Sequence, residues 1–170
     1  MSSSEFDAEM MKPSQHFKEL GNGKLGKVWL EVLECSDLPE KDLWNRKSDA
    51  FVTIVYEDSY SQTNVIDDCL SPKWMPWTER GFCLIIKHTS SPVYLGVFDY
   101  DAEGPFQSHD LIGKIVIDMT KLKPRTEYIL KYSIWDSTNK SDRKKNGEIM
   151  VSLTVLQFVK ETSEGLSYFK

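Results

Sequence analysis

The sequence predicts an all-β protein, an eight-stranded antiparallel β-sandwich, and three observations carry this prediction. About eight segments of strand length are rich in Val, Ile, Leu and aromatic residues, Pro and Gly separate them, and several alternate between apolar and polar side chains. Alternation with a period of two buries one face of each strand. Strands without helical crossovers bury that face when two sheets stack on each other.

The predicted strands follow one another from residue 28 to residue 158. They are Val28–Cys35, Phe51–Tyr56, Tyr60–Ile66, Phe82–Lys87, Val93–Phe98, Gly113–Asp118, Tyr128–Trp135 and Ile149–Phe158. The alternation is clearest in the last of them, where Ile149, Val151 and Leu153 are expected to face the core.

The sequence predicts one folded domain with a tail at each end. Residues 1–23 contain Ser, Gly and Asn with little pattern, which is typical of a flexible tail or linker. A short helix over Ser4–Lys12 is the alternative, since Phe6 and Met10 are four residues apart. Residues 24–160 hold all the predicted strands, and residues 161–170 are expected to be a C-terminal tail. A chain of 170 residues is long enough to bury a core of its own.

Composition excludes several functional classes. The net charge of −5 has the wrong sign for a nucleic-acid binder, so no nucleic-acid partner is expected. No run of about 20 apolar residues spans a bilayer, and the N-terminus lacks the apolar core of a secretory signal, so we expect a cytoplasmic protein.

Neither the cysteines nor the histidines indicate an active site. Cys35, Cys69 and Cys83 are too far apart for a metal-binding pair and odd in number, which predicts free thiols packed in strands. The three histidines have no metal spacing and no nucleophile partner, and His109 is expected to be an ordinary loop residue. We therefore expect a protein that is not an enzyme and has no catalytic residues.

Two predicted loops concentrate acidic residues. The first, Glu40–Asp49, joins the first two strands, and the second, Asp99–Asp110, follows the fifth strand. If the strands they leave run in the same direction, both loops lie at one end of the sandwich. Two carboxylates ~4 Å apart repel by about 4 kcal/mol at an effective dielectric near 20, so such a cluster needs protons or a cation.

Ca²⁺ is the cation that suits these loops. It accepts six to eight hard oxygen ligands in flexible geometry, whereas Mg²⁺ requires a tight octahedron and retains its waters. An acidic loop alone is more often a solvated surface, but an Asp-x-Asp pair at a strand end, Asp99 and Asp101, favours the metal. Residues 99–110 also match an EF-hand loop, but the strand-like Val93–Phe98 replaces the helix that an EF-hand requires.

Four motifs in sequence order carry a resemblance to a known family. They are Ser48–Val52 (Ser-Asp-Ala-Phe-Val), Leu70–Trp74 (Leu-Ser-Pro-Lys-Trp), Val97–Asp101 followed by Asp110–Gly113, and the closing strand Gly147–Leu153. In these motifs the chain resembles the C2 domain family. The resemblance implies a C2-like β-sandwich of the phospholipase-type strand permutation and a module that binds calcium and anionic phospholipid.

The resemblance also implies a set of metal ligands in the two acidic loops. Matched residue by residue, they are Asp42, Asp49, Asp99, Asp101 and Asp110. Glu40 is the alternative to Asp42 in the first loop. The lysine-rich β-surface with which many family members bind phosphoinositides would fall near Phe51–Ile66, and this stretch contains no Lys or Arg. We therefore predict no such site there.

Large apolar residues at the loop crowns predict how a membrane is reached. Leu43 and Trp44 in the first loop and Phe106 in the second are expected to insert into the bilayer beside the metal, with local packing as the alternative. The expected partner is a phosphatidylserine-like anionic membrane, bound peripherally by a monomer. The competing interpretations are a calcium-independent C2-like scaffold for a protein partner and a regulatory fragment of a larger enzyme.

Overall fold

The structure, a computed structural model, describes residues 2–40, 47–101, 109–136, 144–162 and 165–168, with side chains as far as Leu156. One helix and ten strands make up this part of the chain. In order they are α1 (Ser3–Met10), β1 (Phe17–Leu20), β2 (Gly26–Ser36), β3 (Ala50–Tyr56), β4 (Ser59–Gln62), β5 (Gly81–Ile86), β6 (Val93–Asp99), β7 (Asp110–Ile117), β8 (Glu127–Trp135), β9 (Lys145–Thr162) and β10 (Gly165–Tyr168).

The strands form the two layers of a β-sandwich, as the sequence predicts. In hydrogen-bonding order they run β1-β5-β2-β9-β8-β7-β6-β3-β4, with β10 paired to β9. Between β8 and β7 the ladder narrows to the single pair Lys114–Trp135, and there the sheet folds over. We call β1-β5-β2-β9-β8 the first layer and β7-β6-β3-β4 the second layer.

The core lies between the two layers and follows the predicted alternation. Ile149, Val151 and Leu153 of β9 are fully buried, and Ile115 and Ile117 of β7 are nearly so. Trp74 is also fully buried, and its indole N–H donates to the Asn64 carbonyl at 3.0 Å. Among the described residues, no helix has the length and apolar character needed to cross a bilayer.

The N-terminal residues differ from the predicted flexible tail. Residues 3–10 form α1, with a capping box between Ser2 and Glu5, and β1 pairs in parallel with β5. Met10 packs with Leu33 and Met75 into a small second apolar cluster outside the first layer. The segment is therefore part of the packed structure rather than a linker.

A buried arginine holds this segment in place. Arg80 is fully buried, and its guanidinium donates to the carbonyls of Met10 and Lys12, the carbonyl of Trp74 and the hydroxyl of Ser14, at 2.6 to 2.7 Å. The planar fork of five donors suits four acceptors converging from several directions. The sequence prediction missed the segment because these acceptors are mostly backbone atoms, which have no sequence signature.

Glu31 of β2 is the carboxylate partner of the buried Arg80 guanidinium. Its carboxylate lies 3.4 Å from the Arg80 guanidinium and accepts the backbone N–H of Ser14 at 2.8 Å. Burial lowers the pKa of Arg80, and the neighbouring Glu31 carboxylate opposes that shift. A buried cation with a carboxylate partner and carbonyl acceptors meets the general requirement for buried charge.

Three further differences concern strand number and ends. The described residues form ten strands where the sequence predicts eight, because β1 adds to the edge of the first layer and β10 pairs with the C-terminal end of β9. At the C-terminus β9 continues to Thr162 and pairs with β10, where a tail is predicted. The predicted third strand ends at Gln62 instead of Ile66. At the next residue the Thr63 N–H donates to the Val52 carbonyl, but the Val52 N–H donates to the Thr63 hydroxyl instead of a backbone carbonyl, which interrupts the ladder.

Candidate metal and membrane site

The two acidic loops meet where β3 begins and β6 ends. These strands are antiparallel neighbours, and Ala50 pairs with Asp99. Asp49 precedes β3 by one residue, Asp99 is the last residue of β6, and Asp110 is the first residue of β7 and pairs with Asp99. The structure therefore brings these three predicted residues to one edge, with Asp101 two residues beyond Asp99.

Asp49 and Asp99 are joined directly. The backbone N–H of Asp49 donates to Asp99 Oδ1 at 2.8 Å, and the N–H of Tyr100 donates to the Asp49 carbonyl at 2.8 Å. Asp99 is only 4% exposed, although it is a carboxylate at a strand end. The reciprocal bonds fix the two loops relative to each other and hold Asp99 in a buried position.

A third segment, which the sequence prediction did not assign to the site, also reaches this edge. The N–H of Asp68 donates to Asp49 Oδ1 at 2.8 Å, and the N–H of Cys69 donates to the Ser48 carbonyl at 2.9 Å. This segment brings two exposed carboxylates, Asp67 and Asp68, to the same end of the sandwich. The signal that could have found them is the acidic pair just before the Leu70–Trp74 motif.

An aromatic cluster supports the acidic edge from the outer side of the second layer. The ring of Phe51 stacks on Phe98 at a centroid distance of 5.6 Å and meets His109 edge-on at 5.2 Å, and His109 stacks on Tyr100 at 4.8 Å. His109 Nδ1 accepts the backbone N–H of Asp101 at 3.1 Å. His109 thus contributes packing and a backbone bond, as expected of a loop residue.

Part of the predicted site lies outside the described residues. Asp42 and the three apolar crown residues belong to this part: Leu43, Trp44 and Phe106. Glu40, the alternative to Asp42, is described and exposed. Within the described ranges, no group of three or more His, Cys, Asp or Glu side chains is arranged to hold a metal ion. The donor chemistry of the edge, carboxylate and carbonyl oxygen, fits a hard cation such as Ca²⁺.

The sequence matches the family model of the C2 domain over residues 26–134, a region that includes both acidic loops and β2 through β7. The chain belongs to the C2 domain family. The match contains the first three motifs, and the fourth, Gly147–Leu153, lies beyond its end.

Individual proteins with C2 domains are also similar to the chain, in sequence or in fold. The chain is 25% identical over 142 residues to multiple C2 domain and transmembrane region protein 12 of Arabidopsis thaliana, covering 80% of this chain and 17% of that protein. The chain thus spans less than a fifth of that relative. A C2 domain of plant extended synaptotagmin 1 superposes with a TM-score of 0.68 at 20% identity, covering 82% of this chain and all of the other.

A calcium-bound structure is also among the similar folds. A two-domain structure of extended synaptotagmin 2, which contains a pair of C2 domains with calcium bound, superposes with a TM-score of 0.59 at 21% identity. The superposition covers 81% of this chain and 48% of that one. At this level of identity the likeness concerns the C2 fold.

Proposed function

We propose that this C2 domain binds anionic phospholipid membranes in a Ca²⁺-dependent manner, as a peripheral module on the cytoplasmic side. The observation that carries the proposal is the direct junction of Asp49 and Asp99 at the edge where both acidic loops meet. Carboxylates gathered at one edge repel each other unless a cation offsets their charge. Phosphatidylserine-like lipid is the partner that such a cation would recruit.

The proposed metal ligands come from both loops. Asp49, Asp99 and Asp101 form the central group, and Asp42 and Asp110 extend it on either side. Bound calcium supplies positive charge and open coordination positions for lipid oxygens. The backbone bonds to Asp49 and Asp99 orient the edge in advance, which lowers the ordering cost of binding.

The loop crowns are proposed to supply the apolar part of the affinity. Leu43, Trp44 and Phe106 would enter the interfacial region once the negative charge behind them is offset. Trp is favoured at that depth because its ring is apolar and its N–H remains hydrated. Each buried CH₂ group contributes about 0.8 kcal/mol to such insertion.

The experiment is co-sedimentation with phosphatidylserine vesicles, in calcium and in chelator, with phosphatidylcholine vesicles as the lipid control. The variant Asp99→Asn/Asp101→Asn removes two charges from the proposed site. The matched control, Glu57→Gln/Asp58→Asn, removes two charges from the β3–β4 turn at the far end of β3. We expect calcium-dependent binding by the wild type and the control, and its loss in the site variant.

Calorimetric titration with CaCl₂ separates metal binding from lipid binding. Retained calcium affinity in the Asp99→Asn/Asp101→Asn protein would contradict the ligand assignment. Equal sedimentation in calcium and in chelator would contradict the switch. Melting temperatures of both variants, measured in chelator, check that the fold is intact.

Two other functions have specific support. The Asp49 and Asp99 carboxylates accept backbone N–H groups that fix their positions at this edge, and a calcium-independent scaffold for a protein partner would use the same fixed edge. The chain also covers 17% of its Arabidopsis relative, which is compatible with a regulatory part of a larger protein, an enzyme included. Vesicle binding that occurs in calcium and not in chelator would argue against the calcium-independent scaffold.

A further inference from the structure

A row of exposed apolar side chains crosses the outer face of the second layer. Tyr60 pairs with Val55, Val55 pairs with Tyr94, and Tyr94 pairs with Val116, so the four residues are cross-strand neighbours on β4, β3, β6 and β7. Their exposed fractions are 74, 38, 47 and 52%. We call these four residues the open face; three strand spacings give the row a span of ~14 Å.

The neighbouring row adds little charge to this surface. Thr53 pairs with Gln62 and Gly96, and Gly96 pairs with Lys114. The ring of Phe98 lies over Gly96. A β-carbon at position 96 would be 2.7 Å from a carbon of that ring, so a larger residue would collide with it. Of the residues in these two rows, Lys114 alone is charged.

Acidic residues lie at both ends of the strands that carry the open face. The β3–β4 turn carries Glu57 and Asp58 at one end. The other end is the edge that holds Asp49, Asp101 and Asp110. β3 has seven residues, so the two acidic ends are ~23 Å apart. An apolar centre between two negative ends has a defined complement, an apolar segment flanked by cations.

We propose that the open face binds a cationic amphipathic segment of another protein. Apolar side chains of the segment pack on Val55 and Val116, and its Lys and Arg residues reach the carboxylates at the two ends. Tyr60 and Tyr94 present aromatic rings that also attract cations. A segment that lies along the strands spans the ~23 Å between the acidic ends with about 15 residues as a helix or about seven as an extended strand.

The charges around the open face disfavour two other occupants, an anionic membrane and a second copy of the chain. An anionic membrane would meet carboxylates at both ends of these strands and one lysine, Lys114, in the row beside the open face. A second copy of the chain would bring the same apolar row but also the same negative ends, and like charges facing each other weaken such a pair. The four residues of the open face are not among the proposed calcium ligands, but one acidic end holds three of those ligands, so binding is measured in chelator, where that end keeps its negative charge.

The experiment measures binding of the full chain to labelled synthetic peptides by fluorescence anisotropy in chelator. The cationic set consists of 15-residue peptides with Leu or Phe at helical or alternating spacing flanked by Lys and Arg, and each has a partner with Glu in place of the cations. Val116→Lys places a positive charge in the open face. Ile129→Lys is the matched control, since Ile129 lies on β8 of the first layer and is 41% exposed.

We expect members of the cationic set to bind, with an affinity that falls as salt rises, and the Glu partners not to bind. Val116→Lys should weaken binding at least tenfold and Ile129→Lys by less than twofold. The proposal is overturned if no cationic peptide binds, if the Glu partners bind equally, or if Val116→Lys has no effect.

Two further results would assign the face to another occupant and so overturn the proposal. One is binding to phosphatidylserine vesicles in chelator that Val116→Lys abolishes, which would indicate a membrane. The other is a dimer in sedimentation equilibrium that Val116→Lys dissociates and Ile129→Lys does not, which would indicate a second copy of the chain.

Discussion

The outer faces of the two layers differ in whether another segment of the chain covers them. Outside the first layer, α1 and the residues after it cover an apolar cluster formed by Met10, Leu33 and Met75, and Arg80 fastens them. Outside the second layer, the open face keeps its apolar row exposed. The same strand alternation produced both surfaces, so the pattern of a strand shows which residues face outward and not whether another segment covers them.

The difference between the faces rests mainly on hydrogen bonds made by one buried cation. Arg80 is at the centre of the covered face and satisfies four acceptors, three of them carbonyls. Removing the guanidinium takes the donor from these acceptors and the cation from the Glu31 carboxylate, which keeps the Ser14 N–H. Buried groups that lose their partner cost more than the bond itself contributed.

The largest effect is therefore expected for Arg80→Met. We predict that the free energy of unfolding falls by about 3–5 kcal/mol, because a buried charged network loses its central donor. For a chain of this size that lowers Tm by roughly 10 °C. Urea denaturation followed by tryptophan fluorescence measures the first quantity and calorimetry the second.

Limited proteolysis of the same variant tests where the structure loosens. Cleavage within residues 11–16 should accelerate before cleavage elsewhere. Arg80→Lys should recover only part of the stability, because an ammonium group lacks the planar fork. A loss below about 1 kcal/mol in Arg80→Met would mean that the N-terminal segment is not held by this residue.

The second prediction compares a residue of the covered face with one of the open face. Met10→Ala should lower the free energy of unfolding by about 2 kcal/mol, because it opens a cavity beside Leu33 and Met75. Tyr60→Ala should change it by less than about 0.5 kcal/mol, because Tyr60 is exposed. Equal effects in urea denaturation would remove the distinction between the two faces.

The sequence predicts the sandwich well because strand alternation is local. Ile149, Val151 and Leu153 face the core as predicted. The sequence also predicts both acidic loops at one end of the sandwich, and Asp49 and Asp99 meet there because β3 and β6 are neighbours. The junction followed from topology, since antiparallel neighbours bring one strand's start to the other's end.

Two features could not be predicted because they depend on distant backbone atoms. Arg80 follows a turn-rich stretch, and its acceptors at Met10 and Lys12 are carbonyls some 70 residues away in sequence. Asp68 reaches Asp49 through its own N–H group, which any residue there would provide. Contacts of this kind leave no residue preference that a single sequence reveals.

The third prediction concerns the inner side of the second layer in alkali. Burial, and then the charge of Glu57, raises the pKa of Tyr56 from 10 to about 12. Because the pKa of Tyr56 is higher in the folded state than in the unfolded state, its phenol contributes fully to the free energy of unfolding below pH 10. That contribution is lost as the pH rises from 10 to 12. We predict a fall in the free energy of unfolding over that interval, measured by urea denaturation at several pH values.

Tyr56→Phe identifies the residue responsible. The variant should show a shallower fall between pH 10 and 12, because the phenol that must ionise is absent. Burial also raises the pKa of the Cys83 thiol above its usual 9, so part of the decline begins earlier and remains in the variant. An unchanged slope would assign the alkaline sensitivity to groups other than Tyr56.

The smallest effect is expected for the ion pair at the rim of the covered face. Lys73 donates to the Asp7 carboxylate of α1, and this hydrogen bond raises the pKa of Lys73. Both side chains are partly exposed, so solvent and salt screen the pair. A double-mutant cycle with Lys73→Met and Asp7→Asn should give an interaction energy below about 1 kcal/mol that shrinks as salt is added. A larger, salt-independent value would show that this pair, together with Arg80, holds α1 in place. The two faces would then differ at their rims as well as at their centres.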